Sequence, residues 1–142
     1  MDGTIELQGV EYPHHIYLSP DGETLLVAVP GSDLSGGHGG GGGGHGGGGG
    51  GAAAGFVLSL DARTGALQAS RGLDAPNHNA IFAPDGSVWT SQIATAGKVL
   101  ILDPATLETR ASVPVGDSPA EVTFTSSGSF GWQPSLRTAS SG

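Results

Sequence analysis

An all-β fold built from repeated units of four short antiparallel strands is predicted for this 142-residue chain. Three observations predict it. The tripeptide Pro20-Asp21-Gly22 recurs as Pro84-Asp85-Gly86. Each copy closes a short alternating run, His14-His15-Ile16-Tyr17-Leu18-Ser19 in one case and His78-Asn79-Ala80-Ile81-Phe82-Ala83 in the other. Between them lie apolar runs of strand length, such as Leu25-Leu26-Val27-Ala28-Val29 and Val99-Leu100-Ile101-Leu102, without the 3.6-residue period of a helix.

A third copy, Ala120-Glu121-Val122-Thr123-Phe124-Thr125, ends at Ser126-Ser127-Gly128, keeping the pattern and the glycine. Gly86 to Gly128 spans 42 positions and Gly22 to Gly86 spans 64, an excess of 22. Matching turns open at Asp61-Ala62-Arg63-Thr64 and Asp103-Pro104-Ala105-Thr106, 39 and 17 positions after their respective glycines. Beyond them the register holds, with 16 positions from Asp61 to Asn77 and 16 from Asp103 to Pro119. The excess is therefore almost all one insertion, a tract from Gly36 to Gly51 containing only glycine, His38 and His45. It cannot bury apolar surface and loses the most backbone entropy on ordering, so a flexible loop is expected.

In the second unit the strands are expected at His78 to Ala83, Ser87 to Gln92, Lys98 to Leu102 and Leu107 to Val113. Four strands within about 42 residues make a β-propeller blade. The expected organisation follows. Residues 1–13 supply the last strand of a preceding blade, 14–77 a blade with its insertion at 36–55, and 78–119 a second blade. Residues 120–132 begin a third, and 133–142 form an unstructured tail. Propellers close with about four to eight blades. A fragment of a longer gene product is thus expected, with a ring assembled from copies as the alternative.

The stretch Pro13-His14-His15-Ile16-Tyr17-Leu18-Ser19-Pro20-Asp21-Gly22-Glu23-Thr24-Leu25-Leu26-Val27-Ala28 resembles the opening of a YVTN β-propeller repeat. Lys98-Val99-Leu100-Ile101-Leu102-Asp103-Pro104-Ala105-Thr106, followed by Val113-Pro114-Val115-Gly116-Asp117-Ser118-Pro119, resembles its second half. Asp85-Gly86-Ser87-Val88-Trp89-Thr90 also resembles the streptogramin-lyase blade. Relatives of this kind include surface-layer proteins, haem and copper nitrogen-oxide reductase domains, lactonase-like enzymes and binding scaffolds. The resemblance implies an exported, periplasmic or extracellular protein, although Met1-Asp2-Gly3-Thr4 lacks the basic and apolar regions of a signal peptide.

Thirteen acidic against five basic residues give a net charge of −8, which disfavours nucleic acid and anionic membrane surfaces. No stretch approaches the ~20 apolar residues of a membrane span. The absence of cysteine removes disulfides, thiolate metal sites and cysteine nucleophiles. No nucleophile-elbow pattern surrounds any serine.

Histidines carry the remaining chemistry. The repeat sets His14 opposite His78 and His15 opposite Asn79. In a four-stranded meander the chain leading into the first strand and the loop joining the second to the third lie at one end. In the resembled family the first strand lines the central channel. His14, His15, His78, His38 and His45 would then share one channel mouth, with Glu121 beside Ala120 at the matching place in the third unit. Imidazole suits Cu, Zn, Fe and Ni, and the resemblance adds copper or haem as cofactors. The alternative is that these are polar strand-start residues copied by tandem duplication. Inner strands of adjacent blades diverge, so bonds of about 2 Å are expected to need a cluster, a larger ligand or a loop-borne histidine. The tract histidines are either a weak metal scavenger or a low-complexity expansion.

Asp21, Asp85, Asp61 and Asp103 fall in tight turns, where aspartate bonds its own backbone, at the opposite end. Trp89 and Trp132 are expected in inter-blade packing. The functional expectation is a non-catalytic binding scaffold taking a protein or small-molecule ligand at the channel mouth. A metal- or haem-dependent redox domain is the alternative, and a lactonase- or lyase-like enzyme is more distant.

Overall fold

Thr24-Leu25-Leu26-Val27-Ala28-Val29 is apolar on both alternating faces, the pattern of a strand covered on two sides. In the computed structural model, which describes residues 4–32, 34, 54–125, 127 and 130–134, it forms β2 (Thr24–Val29), buried over its last four residues. β1 (Ile16–Leu18), β2, β3 (Gly55–Asp61) and β4 (Leu67–Leu73) make one antiparallel sheet in chain order. A second sheet of the same order follows, with β5 (Ala80–Phe82), β6 (Val88–Gln92), β7 (Gly97–Leu102) and β8 (Thr109–Gly116). The antiparallel pair β9 (Pro119–Phe124) and β10 (Phe130–Pro134) forms a third sheet. The described chain is all β, a partial propeller with two four-stranded blades.

β2 and β3 pair without a register shift from Thr24 opposite Asp61 to Val29 opposite Phe56. The blade is thus continuous across the connection that carries the insertion. The insertion itself, with His38 and His45, lies outside the described residues.

The two faces of β2 serve different layers. Leu26 and Ala28 join Val57 and Leu73 against Ala80, Val88, Leu100, Leu102 and Leu107 of the second blade. Burying a leucine this completely is worth roughly 1.5–3 kcal/mol. Val27 and Val29, with Leu58 and Leu60, face the other way and are covered by Leu7 and Val10. A smaller layer, Ile81, Val99 and Val122 with Trp89 and Phe124, joins the second blade to β9. The Trp89 and Phe124 rings meet edge-on, 5.2 Å apart at 79°, as inter-blade packing of Trp89 requires. Tyr17 and Leu18 of β1, Ile81 and Phe82 of β5, and Val122 and Phe124 of β9 line one groove of about 370 Å³. The first strands of the three units therefore share a wall, as in a propeller channel.

Two expectations are corrected. Residues 4–13 contain no strand. A strand exists only with a hydrogen-bonded neighbour, and among the described residues no strand pairs with this segment, so Leu7 and Val10 cover the first sheet as irregular chain. The tail expected from 133 begins later, since Gln133 and Pro134 continue β10 opposite Glu121 and Pro119; residues 135–142 lie outside the described part.

The aspartate turns form as their chemistry dictates. Asp61 Oδ1 accepts from the amides of Arg63 (3.0 Å) and Thr64 (2.7 Å) and from the Thr64 hydroxyl (2.8 Å). Asp103 Oδ1 accepts from the amides of Ala105 (2.8 Å) and Thr106 (3.0 Å), while Arg110 pairs with its other oxygen. Asp21 and Asp85 accept from the hydroxyls of Ser19 and Ser87. These bonds hold all four carboxyls below the ordinary value of 3.8, led by the Thr64, Ser19 and Ser87 hydroxyls and, at Asp103, by the Thr106 amide. Gly22 (φ 77) and Gly86 (φ 85) take the left-handed conformation that ends each tripeptide turn.

Candidate metal centre

His14 and His15 are adjacent in sequence, so a regular strand would send their side chains to opposite faces. The backbone prevents this. The His14 amide donates to the Ala28 carbonyl (2.9 Å), and the Ala28 amide donates to the His15 carbonyl (2.9 Å). Two residues thus oppose one, as at a β-bulge, a device that re-aims side chains. The two rings stand 4.6 Å apart, inclined at 42°.

His78 arrives from the second unit on the chain leading into β5. The residues on either side of it are fully buried and pinned. Asn77 Nδ2 donates to the Phe56 carbonyl (3.2 Å) and the Thr90 hydroxyl (3.3 Å). Asn79 spans the next junction, with Nδ2 donating to the Val122 carbonyl (2.8 Å) and Oδ1 accepting from the Val122 amide (3.1 Å). Thr90 Oγ1 donates to the Asn79 carbonyl at 2.7 Å. His78 itself is 7% exposed, and its ring lies 4.3 Å from His14 and 4.6 Å from His15.

One ligand atom from each of His14, His15 and His78 lies within 4.8 Å of the others. The exposure is graded, His14 open, His15 intermediate and His78 buried. Diverging inner strands were expected to need a cluster, a larger ligand or a loop-borne histidine, and the three imidazoles form a cluster carried ahead of the strands. The side chains sit ahead of β1 and β5, in the segments leading into the strands, and reach across the gap. His15 Nδ1 is buried without a hydrogen-bond partner. Glu121 is outside this group of three; its Oε1 is 3.0 Å from Nδ1 of His78.

The repeat register brought His14 and His78 together on paper, and they are neighbours. His15, expected at the same channel mouth, joins them through the bulge opposite Ala28, which is made by backbone bonds and could not be read from the repeat. The register missed Asn79, whose amide presents a donor and an acceptor as a peptide group does. Two cavities of the described residues are lined without the three histidines. One of about 700 Å³ lies between residues 6–11 and the outer face of the first sheet, and the other is the inner-strand groove.

No family model matches the chain, and no curated protein matches it. Among solved structures it is similar to hydrazine synthase of Kuenenia stuttgartiensis, with a TM-score of 0.58 at 22% identity. The likeness covers 90% of this chain and 30% of that one. Similarity at this identity concerns the fold.

Proposed function

We propose that this chain is part of a YVTN-type β-propeller that serves as a non-catalytic binding scaffold. Its rim ligand is a transition-metal ion held by His14, His15 and His78. The observation that carries this reading is the convergence of one donor atom from each imidazole within 4.8 Å, drawn from two successive units. The buried, unpartnered Nδ1 of His15 supports it, because an orphaned polar atom carries a desolvation cost that a ligand bond relieves.

Three neutral imidazoles suit Zn, Cu, Ni or Fe and leave a coordination position for a small molecule or a partner's side chain. Haem fits poorly. Rings with centroids 4.3–4.6 Å apart enclose room for an ion and not for a macrocycle between them. The ion gives the channel mouth one fixed positive centre on a chain of net charge −8. The complete protein, in this reading, is a longer exported propeller whose further blades close the ring, and its ligand is a protein or a small molecule.

Elemental analysis of the purified chain tests the site. One equivalent of zinc or copper per chain is expected, falling well below one in His78→Ala. A chain that retains no stoichiometric metal after exposure to either ion would falsify the reading.

A further inference from the structure

Glu121 stands on β9, in the third unit, and Nδ1 of His78 lies 3.0 Å from its Oε1. The His78 side chain is 9% exposed and that of Glu121 30%, so the contact is substantially shielded from water. An imidazole has two nitrogens. A carboxylate against one of them fixes the proton there, orients the ring and leaves the other nitrogen for a metal bond. The three units thus contribute in series: two histidines from the first, one from the second and a carboxylate from the third.

We propose that Glu121 is a positioning residue for this site and not a ligand. Its carboxylate, now in ion-pair contact with Nδ1 of His78 at 3.0 Å without the alignment of a hydrogen bond, turns to accept the Nδ1 proton when the ion binds and leaves Nε2 for the metal. Metal occupancy is thereby linked to the docking of β9. The inference rests on the metal reading above and names how that site is assembled. β9 is already seated on the second blade through polar bonds, the Asn79 amide to Val122 and the Ser91 hydroxyl to the Ala120 carbonyl at 2.6 Å. An ion that binds best when His78 is held by Glu121 also favours the state in which β9 is docked, since a ligand stabilises the form it prefers.

Zinc titration by calorimetry, cobalt absorption spectra and hydrogen exchange of residues 119–124 test this on the 142-residue chain. Glu121→Ala is expected to weaken zinc by about 10–100-fold. Glu121→Gln, which keeps an acceptor oxygen at nearly the same reach, is expected to fall between it and the wild type. The cobalt spectrum of the loaded Glu121→Ala protein should match the wild type, because no ligand is lost. Zinc should slow exchange in β9 of the wild type and leave it unchanged in Glu121→Ala. Equal zinc affinity in all three proteins overturns the proposal. So does an altered cobalt spectrum, which makes Glu121 a ligand. If Glu121→Ala does not fold, the affinity and spectrum of Glu121→Gln decide between the same outcomes. Failure of the wild type to take up zinc or cobalt overturns the metal reading itself, and is seen before any variant is compared.

Discussion

At the junction between the first two blades, Leu26 and Ala28 of β2 close an apolar layer against Ala80, Val88 and Leu102. In β6 the places of Leu26 and Ala28 are held by Trp89 and Ser91, since Ile16 pairs with Val27 where Ala80 pairs with Thr90. The junction β6 builds with the third unit relies on the Ser91 hydroxyl and the Asn79 amide over a much smaller apolar layer that includes Trp89. The contrast extends to the rim. His15 and Asn79 hold equivalent places in successive units, yet Asn79 clamps the backbone of the next unit at Val122, whereas His15 leaves Nδ1 unpaired beside two other imidazoles. One repeat pattern therefore supports two kinds of junction. Apolar burial is strong and indifferent to detail, while a polar clamp is weaker per contact and sets the register of what it holds.

The largest expected effect comes from breaking the apolar junction. Leu102→Ala removes a side chain with 0% exposure and should cost about 2–5 kcal/mol in urea unfolding. A cost under 1 kcal/mol would mean that the two blades do not share this layer. Breaking the polar junction should cost less. Asn79→Ala strands the amide and carbonyl of Val122, a loss of about 1–3 kcal/mol. Hydrogen exchange should show the loss concentrated in β9, with the first blade little changed.

These two junctions were not equally legible in the sequence. The apolar runs and the aspartate turns could be read directly, because residue type alone dictates what Leu26, Asp61 and Asp103 do. The pairing of His14 with His78 followed from counting along the repeat. Asn79 could not be read, because its partners are backbone atoms 43 positions away. His15 was expected at the channel mouth, but the bulge that turns it toward His14 and His78 was not legible, and the strand expected in residues 4–13 failed because strands depend on neighbours as much as on composition. A departure of the same kind occurs at Leu107 (φ 58), which takes the left-handed place that Gly65 (φ 73) holds in the first blade. There the burial of Leu107 in the inter-blade layer outweighs a backbone cost of about 1–2 kcal/mol.

The smallest effect concerns acid. Asp21, Asp61, Asp85 and Asp103 have folded values lowered from 3.8. A lowered carboxyl stabilises the fold above its unfolded value, and that contribution is lost as pH falls through the folded one. The melting temperature should therefore be flat above about pH 5 and decline below about pH 4, modestly because these groups are exposed. Asp61→Asn together with Asp103→Asn should flatten the decline in the acid limb. An unchanged acid limb would show that these turns do not contribute.

Converting His15 to its counterpart tests the account most directly. In His15→Asn the first blade acquires the side chain that the second carries at the same place. Calorimetric titration with zinc should then show affinity reduced by at least about 100-fold, with a melting temperature close to that of the metal-free wild type, because one of three ligands is lost and no core contact is disturbed. Zinc affinity equal to the wild type in a folded His15→Asn chain would contradict it, since the convergence of His14, His15 and His78 would then be packing without a ligand.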